Sequence, residues 1–433
     1  MGIDTKDFFR TCNPATTINY ADPEQRKYYI DFSSVREGLG IEGMADNITW
    51  SPDEFTCQLF TGHIGCGKST ELLRLKALLE KEGFHVVYFG ADSVLEVRDV
   101  DISDILFAIA REVIDSLKSV GIELPPKDKF KVLLNGMLRT LKDVGAKVAD
   151  GLTTNLYGVI EEWLAKAKDS PEIRNRLRNY SEPFTPTILE AINNELLASA
   201  TQSLVQNGKK GLVVIVDNLD RIENVIKVGK MQHEYLFVDR GEQLKLKCHT
   251  VYTVPFELTY KETNRLMQRF SDYSVLPMIP VTHRDARENG DGMALMRQMA
   301  LSRAFPDEDD AYRDEHLTEI FDRKETLDRL CRISGGHARR FLIFFSTCIQ
   351  RQKSLPISGK MLEDVIREDR NRQTRSLSDE EWELLKQVRH DKKIRKSELF
   401  QYLQRQMFIF EYQDQDGSYA DINPVLAEAT EMK

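Results

Sequence analysis

Residues 57–70 read Cys-Gln-Leu-Phe-Thr-Gly-His-Ile-Gly-Cys-Gly-Lys-Ser-Thr, and no other stretch of the chain restricts the fold as tightly. Gly62, Gly67, Lys68 and Ser69 meet the pattern G-x-x-x-x-G-K-[ST]. In that pattern the glycines let the backbone curl until several N–H groups converge on one anion. Lys68 is placed to reach the β- and γ-phosphates of a nucleotide, and the Ser69 hydroxyl to take a position on Mg2+. The candidate phosphate-binding segment is therefore Gly62, His63, Ile64, Gly65, Cys66, Gly67, Lys68, Ser69 and Thr70. Such a loop works between a strand and a helix. Phe55–Phe60 reads as a short apolar strand, and Leu72, Leu73, Leu75, Leu78 and Leu79 recur at helical spacing. Gly83 stops that helix, and His85–Phe89 reads as a second buried strand. The helix aims the positive end of its dipole at the same anion. The plain alternative is a glycine-rich turn without a nucleotide.

A second half of the site is legible downstream. Residues 211–217, Gly-Leu-Val-Val-Ile-Val-Asp, form an apolar run ending in an acid, which fits a central parallel strand buried on both faces. Ligands of open α/β sheets bind at the C-terminal ends of strands, so Asp217 is the candidate Mg2+ residue, directly or through water. Asn218-Leu219-Asp220-Arg221 adds charge at the same edge. The run His249–Pro255 is the next strand, with Thr253 suited to touch a γ-phosphate or the attacking water; threonine is also a common strand residue. Val275–Val281 is the fifth strand candidate. The order of strands and helices predicts an α/β fold with a parallel-sheet phosphate-loop core.

Four regions follow. Residues 1–50 are a mixed N-terminal segment, with turn signals at Asn13-Pro14, Asp22-Pro23 and Gly38–Gly43 and a strand-like run Tyr28–Phe32. Tyr28, Tyr29 and Ile41 are candidates to cover an adenine ring or simply to pack on the core. Residues 51–284 form the core, interrupted by a helical insert over 101–206. Amphipathic stripes run from Ile102 to Leu117, Phe130 to Val148 and Pro186 to Val205, with a weakly apolar centre from Gly145 to Leu156 that reads as a spacer, a loop or a partner surface. Residues 285–375 form a helical lid. It contains Ser334-Gly335-Gly336-His337-Ala338-Arg339-Arg340 at the start of an apolar helix, where Arg339 is placed to project a guanidinium at a phosphate. Residues 376–433 read as two helices, the first opened by Ser378 and Glu381 at capping-box spacing, then strands Met407–Tyr412 and Ser418–Ile422 around Asp414–Gly417. Helices followed by a terminal hairpin suggest a winged helix.

Composition narrows the partners. A net charge of −9 over 433 residues opposes a generally basic nucleic-acid binder. Six cysteines lie scattered without a C-x-x-C pair, which fits a reducing cytoplasm better than a disulfide scaffold or a zinc site. Cys66, inside the loop, is either a reactive thiol or a small residue that fits. No run of eighteen apolar residues exists, so no membrane span is expected, and Asp4, Lys6, Asp7 and Arg10 stand where a signal peptide would be apolar.

The loop, the Asp217 strand, the Thr253 strand end and the Gly335–Arg339 segment occur in the order found in AAA+ and STAND-type ATPases. Over residues 25–430 the chain resembles bacterial and archaeal regulatory ATPases between STAND proteins and origin-recognition-like AAA+ proteins. The resemblance implies ATP and Mg2+ as cofactors, with Lys68 and Ser69 on phosphates and Mg2+, Asp217 supporting Mg2+, Thr253 as first sensor and Arg339 as second. Many AAA+ members place Glu directly after the metal Asp as base; here that residue is Asn218, which takes no proton at neutral pH. By resemblance to D-x-L-D-R ATPases, Asp220 is the substitute base, and Arg265 or Arg269 is a candidate trans-acting finger. The first implied function is a regulatory switch ATPase. It would form a homo-oligomer on ATP binding and act on a protein effector carried by a separate chain, in signalling, stress or antiviral defence. The alternative is an ATP-controlled DNA-binding protein of initiator or transposition-regulator type. Arg389, Lys392, Lys393, Arg395 and Lys396 support it; the acidic chain and the turn Asp414–Asp416 oppose it. A third reading is a scaffold holding a structural nucleotide. A nucleoside or sugar kinase leaves the lid and terminal module unexplained.

Overall fold

The computed structural model describes residues 3–38, 40–52, 54–124, 127–145, 156–227 and 229–432. The chain divides into two compact units. One comprises Met1–Gly40, Gly62–Arg74 and Val275–Lys433; the other comprises Ile41–Thr61 and Leu75–Ser274.

The second unit is built on a sheet. Its strands are β1 (Cys57–Gly62), β2 (His85–Gly90), β3 (Leu212–Asp217), β6 (His249–Thr253) and β7 (Asp272–Leu276), in the order β2-β3-β6-β1-β7; a small separate hairpin, β4 (Ile226–Lys227) with β5 (Lys230–Met231), lies between β3 and β6 in the chain. The pairs β2–β3, β3–β6 and β6–β1 are parallel. Every residue of β3 is buried, as its unbroken apolar run requires of a central parallel strand. The registers Gly90↔Asp217, Val216↔Tyr252 and Phe60↔Thr253 bring Asp217 and Thr253 to the same C-terminal edge. The fifth strand differs from expectation. It ends at Leu276, and the apolar residues Met278 and Ile279 are buried beyond it in irregular chain.

Between β2 and β3 stands the helical insert. Its helices are Ile102–Ser119, Asp128–Asp143, Leu156–Asp169 and Pro171–Ser181, followed by Thr185–Ala191, a π-helical turn Ile192–Leu197, and Ala198–Gln206. Asp101 and Asp104 form a capping box at the first helix, and Ser170 caps the helix that Pro171 opens. The apolar faces close on Phe107, Trp163 and Leu141. Arg178 reaches back to Asp99 at 2.8 Å and Asp104 at 3.3 Å. Of the weakly apolar centre, residues 146–155 lie outside the described residues. The turn expected over Gly38–Gly43 is instead the entry to helix Gly40–Thr49, where Ile41, Met44 and Ile48 make a buried stripe at helical spacing.

Two apolar centres stand out among the described residues of the first unit. Helices Gly290–Ala304, Lys324–Ser334, Ala338–Gln352 and Gly359–Thr374 enclose Met296, Phe341, Phe345 and Ile366, joined by Phe8 from the N-terminal segment. Helices Asp379–Asp391 and Glu398–Arg405 and the antiparallel hairpin β8 (Ile409–Asp414) with β9 (Gly417–Ile422) enclose Trp382, Leu385, Phe400 and Ile409. The Ser378–Glu381 capping box forms as the spacing predicts. Tyr28–Phe32 is not a strand. Tyr29 instead turns its hydroxyl to both oxygens of Glu71 at 3.3 Å, with the Arg74 guanidinium over its ring.

Candidate functional site

The predicted residues gather in two groups, one in each unit. In the first unit, residues 62–67 show an unusual regularity: six successive carbonyls are each taken by a donor. Lys68 Nζ donates to Gly62 O at 2.8 Å and His63 O at 3.0 Å. His337 Nε2 donates to Ile64 O at 2.8 Å, the Arg339 N–H to Gly65 O at 3.2 Å, and Arg36 Nη2 to Cys66 O at 2.8 Å. Gly67 O accepts the Glu71 N–H at 3.1 Å, inside the first turn of helix Lys68–Lys81. Among the described residues the N–H groups of Gly65 and Gly67 make no hydrogen bond, and the first N–H groups of the helix have no intrahelical partner. A loop whose carbonyls are occupied and whose donors are spare fits an anion.

Gly65 shows why this loop cannot carry side chains freely. Its φ is +86°, and a Cβ there would stand 2.8 Å from His337 Cε1 and 2.9 Å from Arg339 Cβ. The two histidines beside the loop are neutral. His63 Nε2 accepts the Glu411 N–H of β8 at 2.8 Å, and burial, with His337 and Lys68 nearby, holds its pKa well below the ordinary imidazole value. His337 Nδ1 accepts the Arg340 N–H that it caps at 3.0 Å, so Nε2 carries the proton given to Ile64. Burial pushes the His337 pKa down to about 3. Glu71, in the same helical turn, is buried, and burial raises its carboxyl pKa against the pull of Arg36 and Arg74. Arg339 lies against Gly65, whereas its neighbour Arg340 is paired with Asp369 at 2.6 Å. Ser69 and Thr70 are half-buried, and Thr70 Oγ1 accepts the Ile18 N–H at 3.4 Å. Of the two expectations for Cys66, the small residue that fits is the one observed: it is 1% exposed.

In the second unit, Asp217 is 1% exposed and each of its oxygens has a donor. Oδ1 accepts the Asn218 N–H at 2.7 Å and Oδ2 the Tyr88 hydroxyl at 2.8 Å. Thr253 is fully buried, and its Oγ1 accepts the Leu219 N–H at 2.9 Å, tying the end of β6 to the turn that carries Asp220. Asp220 is half-buried in that turn. Asn218 has φ +62°, a left-handed conformation that Asn tolerates better than most residues. Its amide donates to Asp92 at 2.8 Å, and Arg221 pairs with the other Asp92 oxygen at 2.6 Å. Arg265 is tied to Asp239 at 2.8 Å and Glu262 at 2.9 Å.

Sequence reasoning missed Tyr88, Asp92, Arg36 and the Glu411 N–H. Tyr88 had a signal: it sits opposite Ile215, and residues 215 and 217 share a face. Arg36 and the main-chain donor at 411 had none.

No protein-family model matches the sequence, and no curated protein does. Similar solved structures include the ORC2 protein of Aeropyrum pernix in ADPNP and ADP complexes, at 11% identity over 89% of each chain with a TM-score of 0.41. The Walker-type ATPase PABY2304 of Pyrococcus abyssi is similar at 11% identity over 91% of this chain and 96% of its own, with a TM-score of 0.42. Cdc6p of Pyrobaculum aerophilum is similar at 11% identity over 96% and 94%, with a TM-score of 0.39. Likeness that distant carries no weight for activity, which rests on the residues. The loop motif, the parallel sheet and the strand ends that carry Asp217 and Thr253 make this an α/β fold with a phosphate-loop core.

Proposed function

We propose that the chain is an ATP-hydrolysing switch of the AAA+/STAND kind. The occupied carbonyls of residues 62–67 carry the reading, because they leave the N–H groups of Gly65 and Gly67 as donors to phosphate. Lys68 would exchange its two carbonyl partners for phosphate oxygens, Ser69 would hold Mg2+, and Asp217 would support the ion directly or through water. Bound Mg2+ would offset the charge of the β- and γ-phosphates. Asp220 is the base for the attacking water, held in a turn that Thr253 pins; Asn218 does not compete for that role, since its amide is engaged with Asp92. Arg339 contributes a phosphate-directed guanidinium. The switch reading rests on the same loop. Its backbone and its His63 ring are held by His337, Arg339 and Glu411, so a change at the phosphates is felt by the segments that carry them. We read residues 376–433 as a winged-helix-like module in that role, with ATP-dependent homo-oligomerisation and an effector protein on another chain, in signalling or defence.

ATP-controlled DNA binding is the second reading, favoured by the same helix–helix–hairpin order. Against it, Lys392 pairs with Asp421 at 2.6 Å, Arg395 with Asp391 at 2.7 Å, and Asp414 at the hairpin turn with Arg284 at 2.7 Å. The deciding experiment measures ATP affinity, turnover and light scattering in ATP and in ADP, with and without duplex DNA. Lys68→Ala is expected to weaken ATP binding on the order of 100-fold. Unchanged affinity in that variant defeats the reading, and turnover stimulated by DNA promotes the second one.

A further inference from the structure

The first unit carries an opening of its own. A cleft of about 330 Å³ lies among helix Lys324–Ser334, helix Asp379–Asp391 and the β8–β9 hairpin. That volume is at the low end of the ~300–1,000 Å³ usual for small-molecule sites. Its charged lining is Arg329, Arg332, Arg389 and Lys392 against Asp421 and Glu428, an excess of cations in a chain that is acidic as a whole. Two of the four are poorly compensated. Arg332 pairs with Glu288 at 2.6 Å, but both side chains are more than two-fifths exposed, so solvent screens the pair and a ligand can compete for it. Arg389 donates to the Ala427 carbonyl at 3.0 Å and forms no ion pair among the described residues. Guanidinium groups bind phosphate oxygens two at a time. Tyr412 and Ile422 supply an apolar face beside them. Cations next to an apolar face suit an anion joined to a ring.

The cleft also touches the supports of the phosphate loop. Gly335 and Tyr412 both line it, and the Tyr412 hydroxyl donates to Gly335 O at 2.7 Å. Two residues past Gly335, His337 holds Ile64 O; one residue before Tyr412, the Glu411 N–H holds His63. Pressure on either wall therefore reaches a hydrogen bond to the loop.

We propose that this cleft is a regulatory site for a small phosphorylated ligand, a phosphate carried by a sugar or a nucleoside, whose occupancy changes nucleotide affinity at the loop. The regulatory half rests on the reading of residues 62–70 as the nucleotide site. Calorimetry on the Lys68→Ala chain isolates the cleft, with ribose 5-phosphate and AMP as probes. One-to-one binding of at least one probe is expected, weakened about tenfold or more by Arg389→Glu and by Arg332→Glu. Arg389 is exposed, so its charge reversal should melt with the parent chain. AMP binding alone assigns a nucleotide ligand, and comparable binding of both assigns a sugar phosphate. No binding at about 10 mM, or binding that both reversals leave unchanged, overturns the site. In the wild-type chain the bound probe should shift ATP affinity about fivefold or more, and the shift should vanish in Arg389→Glu. Binding without that shift overturns the regulatory half. Wild-type chain that binds the probe and not ATP would instead point to failure of the loop reading.

Discussion

The phosphate loop and the end of β3 are both charged corners of one protein, yet they are held in opposite ways. The loop is held from far along the chain: His63 meets residue 411, Ile64 meets 337, Gly65 meets 339 and Cys66 meets 36. Its useful groups are main-chain N–H donors, and side chains of other segments set their direction. At the end of β3 the supports are close at hand. Tyr88 lies on the adjoining strand, Asn218 is the next residue, and Thr253 lies across one ladder. The useful groups there are side chains, and the sheet register sets their direction. A loop of the first kind is sensitive to backbone shape and to the state of remote segments. A strand end of the second kind should tolerate such changes and respond to single functional groups.

The largest expected effect follows from that second property. Asp220→Asn should cut turnover by about 10²–10⁴-fold, the usual worth of a general base, while ATP affinity moves less than about threefold. Asn218→Glu in that background should not restore turnover. A glutamate there inherits φ +62° and loses the amide bond to Asp92. Turnover equal to wild type in Asp220→Asn removes Asp220 as the base.

The loop should respond the other way. Gly65→Ala places a methyl against His337 and Arg339 at a positive φ, at a cost of about 1–3 kcal/mol in local strain. ATP affinity should fall on the order of 100-fold, with turnover at saturating ATP much less affected. Equilibrium titration together with single-turnover rates separates the two. A variant that binds ATP normally would show that the loop does not need these close approaches.

The same contrast explains what the sequence discloses. The loop motif, the acid-ended apolar run and the helical stripes are local patterns, so the α/β core, the position of Asp217 at the end of β3 and most helices could be read in advance. The Asp414–Gly417 turn placed the β8–β9 hairpin: β8 begins and ends two residues later than expected, and β9 begins one residue earlier and ends at Ile422 as expected. Failures come where burial and strand pairing part company. Asp272, Tyr273 and Ser274 belong to β7 although polar, because β7 is the last strand of the sheet and only half-buried. Met278 and Ile279 look like strand and are buried without being one. Tyr28–Phe32 lacks a partner strand, and its Tyr29 serves the loop helix through Glu71. The wiring of the loop was beyond reach because one donor, the N–H of Glu411, is main chain and has no residue signature.

Acid provides a gentler test of the remote supports. His63 and His337 both have folded-state pKa values below the ordinary ~6.5 of an unfolded chain, His337 near 3. A depressed imidazole favours folding fully above pH ~6.5, and that stability is lost as pH falls toward the folded value. For His337 the loss by pH 5 is about 2 kcal/mol. Melting temperature should therefore fall between pH 7 and pH 5 more steeply in the wild-type chain than in His337→Gln. Equal slopes would mean that the His337 imidazole is not held neutral against the loop.

The smallest effect is expected at Tyr88, and its sign is reversed. Tyr88→Phe keeps the ring and removes one donor from Asp217, whose other oxygen still accepts the Asn218 N–H. The folded state should lose about 1–2 kcal/mol, the worth of a hydrogen bond to a buried charge. On the proposed reading of Asp217 as a Mg2+ residue, loss of the Tyr88 donor should strengthen its hold on the ion. The Mg2+ concentration giving half-maximal turnover should fall about threefold, with saturated turnover changed by less than that factor. A support drawn from the neighbouring strand can be removed in this way without disturbing the backbone that presents the carboxylate. If Tyr88→Phe instead raised the Mg2+ requirement or abolished nucleotide binding, the end of β3 would depend on its supports as the loop does, and the distinction between the two regions would collapse.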